Sequence, residues 1–198
     1  MQYLTFKKNA RALVIVAHPD DETIWMGGTI LKHPEVKWTI FSLCRGDDTD
    51  RAPKFFRVCK YLKTEGLMTN LEDEGLLNIK QSVPLIKKML LQNLTNKNYN
   101  YIFTHGTNGE YGHARHKAVH RSVVTLVSKK NLSGLLLCFN YELTGEHKLK
   151  PKKNSHYIIN LTPAEFDRKQ SIMSDIYGFD KNGIDAGYCT TIEGFIKY

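Results

Sequence analysis

Ala12-Leu13-Val14-Ile15-Val16-Ala17-His18-Pro19-Asp20-Asp21-Glu22 is the stretch whose reading decides the fold. Its aliphatic opening, Ala12 to Val16, has the pattern of a strand buried on both faces of a parallel sheet. A helical pattern follows from about Thr23 to Leu31. An imidazole and three carboxylates therefore fall at a strand-to-helix corner, where open α/β sheets bind their ligands. His18 and Asp21 are three residues apart, so one tight turn can aim both at a single point. Asp20, between them, points elsewhere and is free for another task. Helix capping would account for one or two of the acids, but not for His18 or for the proline that stiffens the turn. Imidazole plus carboxylate suits a zinc-type ion, and two protein ligands call for a third from elsewhere in the chain.

Outward from this corner the chain alternates. Further strands are expected at Trp38–Leu43, Leu67–Leu71, Tyr101–Thr104, Leu135–Phe139 and Tyr157–Ile159. Helices are expected at Pro53–Lys63, Val83–Leu94 and His113–Val127. Val83, Ile86, Leu90 and Leu94 make one apolar stripe. Thr162-Pro163-Ala164-Glu165 opens a last helix with a cap, a proline at the first position and a glutamate at the third. Such alternation predicts a single α/β domain over residues 1–198, a Rossmann-like, doubly wound, mostly parallel sheet with helices on both faces. In the strand order 3-2-1-4-5, the first and fourth strands are neighbours at the switch point. The loop of His18 and Asp21 then faces Gly109-Glu110-Tyr111-Gly112-His113-Ala114-Arg115-His116 across one crevice. One of the two histidines there supplies a third ligand, leaving a fourth position open, as in catalytic zinc sites. Bound zinc would lower the pKa of water from ~15.7 towards ~7. Asp20 is placed to act as general base, and the spare histidine to stabilise an oxyanion or protonate a leaving amine.

The composition sets bounds. The 198 residues suffice for a sizeable core, and 41% hydrophobic with 24% charged residues is ordinary for a globular protein. No apolar run approaches the ~18–20 residues of a membrane span, and Met1–Lys8 has no signal-peptide core. Cys44, Cys59, Cys138 and Cys189 are scattered, with Cys44 and Cys138 in apolar runs, so a reducing cytoplasmic setting is expected. The net charge of +8 admits nucleic acid, an anionic surface or an anionic small substrate. Part of it lies in Lys148–Lys153, read as a solvated loop. Another part lies on Lys54, Arg57, Lys60 and Lys63, read as a wet helix face.

Taken together, Ala17-His18-Pro19-Asp20-Asp21-Glu22 and Gly109-Glu110-Tyr111-Gly112-His113-x-x-His116 resemble the LmbE-like/PIG-L family of zinc-dependent N-deacetylases. The resemblance implies a Rossmann-type fold and removal of an acyl group, acetyl above all, from N-acetylglucosamine-type sugars on various aglycones. It implies that His18, Asp21 and His116 bind Zn2+ or another divalent metal, that Asp20 is the general base and that His113 is the electrophilic or acid histidine. Tyr111 matches a mobile tyrosine that contacts substrate, and Arg51 resembles an arginine that holds the substrate's anionic or sugar part. Two positions depart from the family: Ala114-Arg115 stand where Pro-Asp is common, and Lys54 stands where a glutamate is usual. His105 reads as a structural strand-end residue or, alternatively, as a support for a metal ligand, His120 as too far away to ligate, and Gly27-Gly28 as allowing the helix to pack closely on the sheet. A Rossmann-like nucleotide-binding protein lacks its glycine fingerprint here, and a basic nucleic-acid-binding module lacks a groove-reading motif. The expectation is an enzyme with a small amino-sugar substrate, open to an anionic one, with no nucleic-acid or membrane partner. Homo-oligomerisation is left open.

Overall fold

The computed structural model describes residues 2–198. Its strands are β1 (Gln2–Tyr3), β2 (Arg11–Val16), β3 (Lys37–Cys44), β4 (Glu65–Leu71), β5 (Asn98–Thr104), β6 (Ser133–Phe139), β7 (Tyr141–Gly145), β8 (Lys148–Pro151), β9 (Tyr157–Asn160) and β10 (Ile192–Lys197). Its helices are α1 (Asp21–Lys32), α2 (Arg51–Leu62), α3 (Ile79–Asn93), α4 (Ala114–Ser128), α5 (Pro163–Ser171) and α6 (Ile184–Gly187). A π-helical segment, Ile172–Tyr177, continues directly from α5.

Eight strands form one sheet in the order β1-β9-β10-β6-β5-β2-β3-β4. The expected 3-2-1-4-5 order is present as β4-β3-β2-β5-β6, parallel throughout. β2 lies inside it, and Ala12 to Ala17 are completely buried. Successive side chains of a strand face opposite ways, so β2 feeds two cores. Val14 and Val16 pack with Ile24, Trp25 and Ile30 of α1 and Phe55 and Val58 of α2. Leu13 and Ile15 pack with Ile86 and Leu90 of α3 and Val119 and Val123 of α4. Helices thus cover both faces, and β2 and β5, hydrogen-bonded neighbours, deliver the two motif loops to one edge.

Three local expectations need correction. α5 is not the last helix, because the π-helical segment and α6 follow it, and a strand the sequence did not announce, β10, then inserts antiparallel between β6 and β9. Its buried positions include Glu193 and Gly194, which break the apolar alternation that announces a strand. Residues 148–153 are not simply a loop, because Lys148–Pro151 is β8, paired with β7 in a separate hairpin. The Lys148 and Lys150 side chains are nonetheless exposed. α3 begins at Ile79 rather than Val83, since Asn78 and Gln81 form a reciprocal capping box over polar residues that carry no apolar signal.

Glu193 also repairs α1. That helix is kinked at Met26 (φ −152°, ψ 18°), which leaves backbone donors of its second half in need of partners. The Glu193 carboxylate accepts from Gly28 N at 2.9 Å and Thr29 N at 2.6 Å, and pairs with Lys169 Nζ at 2.7 Å, all buried. A Cβ on Gly28 would lie 2.4 Å from the Leu161 side chain, so this glycine permits close packing on the junction of β9 and α5 rather than on the sheet itself. All four cysteines are buried and free. Among the described residues, no helix is long and apolar enough to cross a membrane.

Candidate active site

At the β2–α1 corner the backbone separates two adjacent aspartates. Asp20 has φ 136°, ψ −32°, a conformation that L-residues adopt at a cost of roughly 1–3 kcal/mol. Although it stands at the helix N-cap position, its side chain makes no capping bond. The buried Glu22 carboxylate instead holds the Asp20 N–H at 3.1 Å and is itself held by Thr23 Oγ1 and Tyr177 Oη. The Asp20 carboxylate is thereby released into the cleft. Asp21 turns the other way: its Oδ2 accepts from His18 N at 2.8 Å and its Oδ1 from Trp25 Nε1 at 2.8 Å. Burial and the Asp21 charge hold the Asp20 pKa well above the usual carboxylate range. For Asp21 burial acts upward too, but the imidazoles of His116, His105 and His18 outweigh it and hold the carboxyl well below that range.

The second loop brings its histidines to the same place. His18 Nδ1 lies 3.3 Å from Asp21 Oδ2 and 3.3 Å from His116 Nε2, and His116 Nε2 lies 3.4 Å from Asp21 Oδ1. Ligands on a tetrahedral ion with bonds of ~2.0–2.1 Å stand about 3.3–3.4 Å apart, the spacing of the two imidazole nitrogens from each other and of each from its own Asp21 oxygen, Oδ2 for His18 and Oδ1 for His116. A nitrogen each from His18, His113 and His116 also lie within 4.8 Å of one another. Glu110 fixes the tautomer of His116 by accepting from its Nδ1 at 2.6 Å, which leaves Nε2 unprotonated. The same carboxylate accepts from His105 Nδ1 at 2.9 Å and from Gly106 N at 2.7 Å. His105 Nε2 in turn accepts the Ala17 N–H at 3.0 Å, so both its nitrogens are engaged, and its ring stacks on His116 at 3.9 Å. His105 thus supports His116 directly, through the shared Glu110 carboxylate and the ring stack. His120 donates to the His105 carbonyl at 2.9 Å, behind the cluster.

His113 occupies the N-cap of α4, where its Nδ1 accepts from Arg115 N at 3.2 Å. The ring proton of the neutral form is then on Nε2. Burial and the neighbouring His116 and His18 lower its pKa to about 4, which makes it a neutral hydrogen-bond donor at pH 7. His18 is the opposite case. Burial opposes a proton there, but the hydrogen bonds to Asp21 and Asp73 prevail and lift its pKa to about 10.

Asp73 was not singled out in the sequence. It lies in the acidic loop after β4, accepts from His18 Nε2 at 2.9 Å and pairs with Arg45 at 3.2 Å. Only its charge distinguished it, since nothing in its spacing ties it to His18. Arg115, at the position where the family often has aspartate, is buried, bonds Ser82 Oγ, pairs with Glu72 at 3.0 Å and approaches Asp73 to 4.0 Å. Arg51 pairs with Asp20 at 3.4 Å and lies over the Phe179 ring at 4.4 Å. Lys54 pairs with Asp50 at 2.7 Å. Tyr111 stacks on Tyr188 at 5.0 Å beside Trp25. Asp20, Arg51, Asp73, Tyr111, Tyr188 and Asp185 border a cleft of about 180 Å³ whose lining includes His18 and His113.

The fold and the site define a doubly wound α/β protein with a His-Asp-His cluster at the switch point, backed by carboxylates and opening into a small polar cleft. The PIG-L family, described as GlcNAc-PI de-N-acetylase, matches residues 13–127, and the chain belongs to it. An uncharacterized protein, L374, of Acanthamoeba polyphaga mimivirus is 28% identical over 126 residues, and the match spans 56% of this chain and 55% of that protein. The N,N'-diacetylchitobiose deacetylase of Pyrococcus horikoshii superposes with a TM-score of 0.66 at 16% identity, covering 98% of this chain and 85% of that one. The A40926 pseudoaglycone deacetylase Dbv21 gives 0.62 at 13% identity, covering 87% and 83%. The 4-carboxy-2-hydroxymuconate hydratase GalB of Pseudomonas putida KT2440 gives 0.63 at 12% identity, covering 95% of both. A hydratase and two deacetylases thus share this fold, so the fold alone does not choose the reaction.

Proposed function

We propose that the chain is a metal-dependent N-deacetylase that removes an N-acyl group, acetyl above all, from an N-acetylglucosamine-type sugar. The observation that carries this reading is the convergence of His18 Nδ1, the Asp21 carboxylate and His116 Nε2 at 3.3–3.4 Å, with the Asp20 carboxylate beside them. Membership of the PIG-L family supports the same reaction. His18, Asp21 and His116 would hold Zn2+ or a similar divalent ion, and that ion, when bound, polarises the amide carbonyl and makes water acidic near neutral pH. Asp20 takes a proton from the attacking water on its free carboxylate oxygen and returns it to the amine nitrogen as the C–N bond breaks. His113 offers its Nε2–H to the developing oxyanion. Its neutrality suits it to that task rather than to supplying the amine's proton. Tyr111 and Arg51, which line the cleft, would contact the substrate.

The test is acetate release from a panel of N-acetylglucosaminyl compounds, with metal content measured on the same preparations. His116→Ala should lose the ion. Asp20→Asn should keep ion and fold while kcat falls ~10²–10⁴-fold at nearly unchanged KM, the worth of a positioned base. Full activity in Asp20→Asn, or loss of its metal, would overturn the assignment.

A further inference from the structure

We propose that Asp185 is the hydroxyl-recognising residue of the cleft, accepting hydrogen bonds from a neutral hexosamine ring whose N-acyl group faces His18, Asp21 and His116. The inference rests on the deacetylase reading above. Asp185 lies outside the stretch that matches the family, residues 13–127, so it is a feature of this chain's C-terminal region. It sits in the single turn of α6, where Ala186 is buried and anchors the turn, Ile184 faces outward and Asp185 is left lining the cleft. The cation acting on Asp185 is Arg51, yet the ion pair of Arg51 is with Asp20. A half-buried carboxylate in that position is an acceptor awaiting donors, and desolvating it without them is costly.

The surroundings select the kind of donor. Asp20, Asp21, Asp73 and Asp185 line the cleft against two arginines, Arg45 and Arg51. Both arginines are already paired with carboxylates, Arg45 with Asp73 and Arg51 with Asp20. The Asp185 carboxylate itself disfavours an anionic group next to it, since the nearest cation, Arg51, is already paired with Asp20. Next to it, Tyr188 is 8% exposed and stacks on Tyr111 with rings 14° from parallel, an aromatic border to the cleft. A pyranose supplies what both elements need: hydroxyl donors on its rim and C–H groups on its faces.

The experiment pairs Asp185→Ala and Asp185→Asn with methyl N-acetylglucosaminide and its 3-, 4- and 6-deoxy analogues, metal content being measured throughout. Removing a charged acceptor for a hydroxyl should lower kcat/KM ~10–100-fold in Asp185→Ala and less in Asp185→Asn, with metal unchanged. One deoxy analogue should show the same loss in the wild type and no further loss in Asp185→Ala. Losses that add for all three analogues, or an unaltered kcat/KM, would overturn the proposal. Calorimetric binding of methyl glucosaminide, the product form, gives a readout independent of turnover and should weaken by a similar factor. If the wild type releases acetate from no hexosaminide, the deacetylase reading fails. The binding arm then still decides the role of Asp185, since unchanged affinity in Asp185→Ala refutes it.

Discussion

Asp20 and Asp21 are neighbours of identical chemistry, and the backbone gives them different surroundings. The positive φ of Asp20 swings its carboxylate towards Arg51, while Asp21 is tied down by Trp25 and the His18 amide. The histidines are sorted in the same way by what holds their other nitrogen. Asp73 holds Nε2 of His18 and Glu110 holds Nδ1 of His116, so the remaining nitrogens are turned towards each other. Losing such a supporting carboxylate weakens a metal site ~10–100-fold. Asp73→Asn should therefore bind zinc that much more weakly in a chelator competition, with an unchanged circular dichroism spectrum. Unaltered affinity would remove Asp73 from the site. Arg51 acts on the base itself, its charge lowering the pKa of Asp20 against burial and Asp21. Arg51→Ala should therefore shift the acid limb of kcat/KM to higher pH, and a shift to lower pH would contradict the pairing.

Among the elements, α1 matters most, because it carries the motif at its start and a kink at Met26. Its second half is secured by Glu193 from β10 and, through Glu193, by Lys169 from α5. Deleting one member of a buried ion pair leaves the other charge uncompensated, at ~3–5 kcal/mol. Glu193→Ala should lose about that much in denaturant unfolding, read as a lower midpoint at constant slope. A change below ~1 kcal/mol would show that the kinked helix is held by packing alone. β10 carries no local strand signal for the same reason. Its buried glutamate and glycine face partners from α1, α5 and the β8 end, and none of these is local in sequence.

For the whole molecule, the β5–α4 half of the site is organised around a buried carboxylate, and Trp25 packs that half against the β2–α1 half. Glu110 is completely buried and receives three donors, from Gly106, His105 and His116. Burial would raise its pKa, but His105 and His116 more than offset this and depress it from 4.5 to about 2. A depressed folded-state pKa contributes stability that is complete above the unfolded value and lost as pH falls through the folded one. Stability should therefore decline as the pH falls from about 4.5 to about 2. In Glu110→Gln this part of the decline should be absent, at the cost of lower stability at neutral pH. Near-UV circular dichroism across that range checks it, and identical acid profiles for wild type and variant would refute the charge at Glu110.

Local sequence determined the parts of this protein whose cause is local. The aliphatic run of β2, the stripe of α3, the cap of α5 and the His18–Asp21 spacing are dictated by side-chain periodicity and chain geometry over a few residues. The central five-strand order followed as well, because right-handed βαβ connections admit few alternatives. Tertiary structure alone decided which distant groups complete the site. Asp73 arrives from the β4–α3 loop and Asp185 from α6, and Arg115 is directed to Glu72. Hydrogen bonds and ion pairs act over about 3–4 Å and are indifferent to separation along the chain. A carboxylate 55 residues from His18 therefore orients it as firmly as a neighbour would, and leaves no mark in the local pattern.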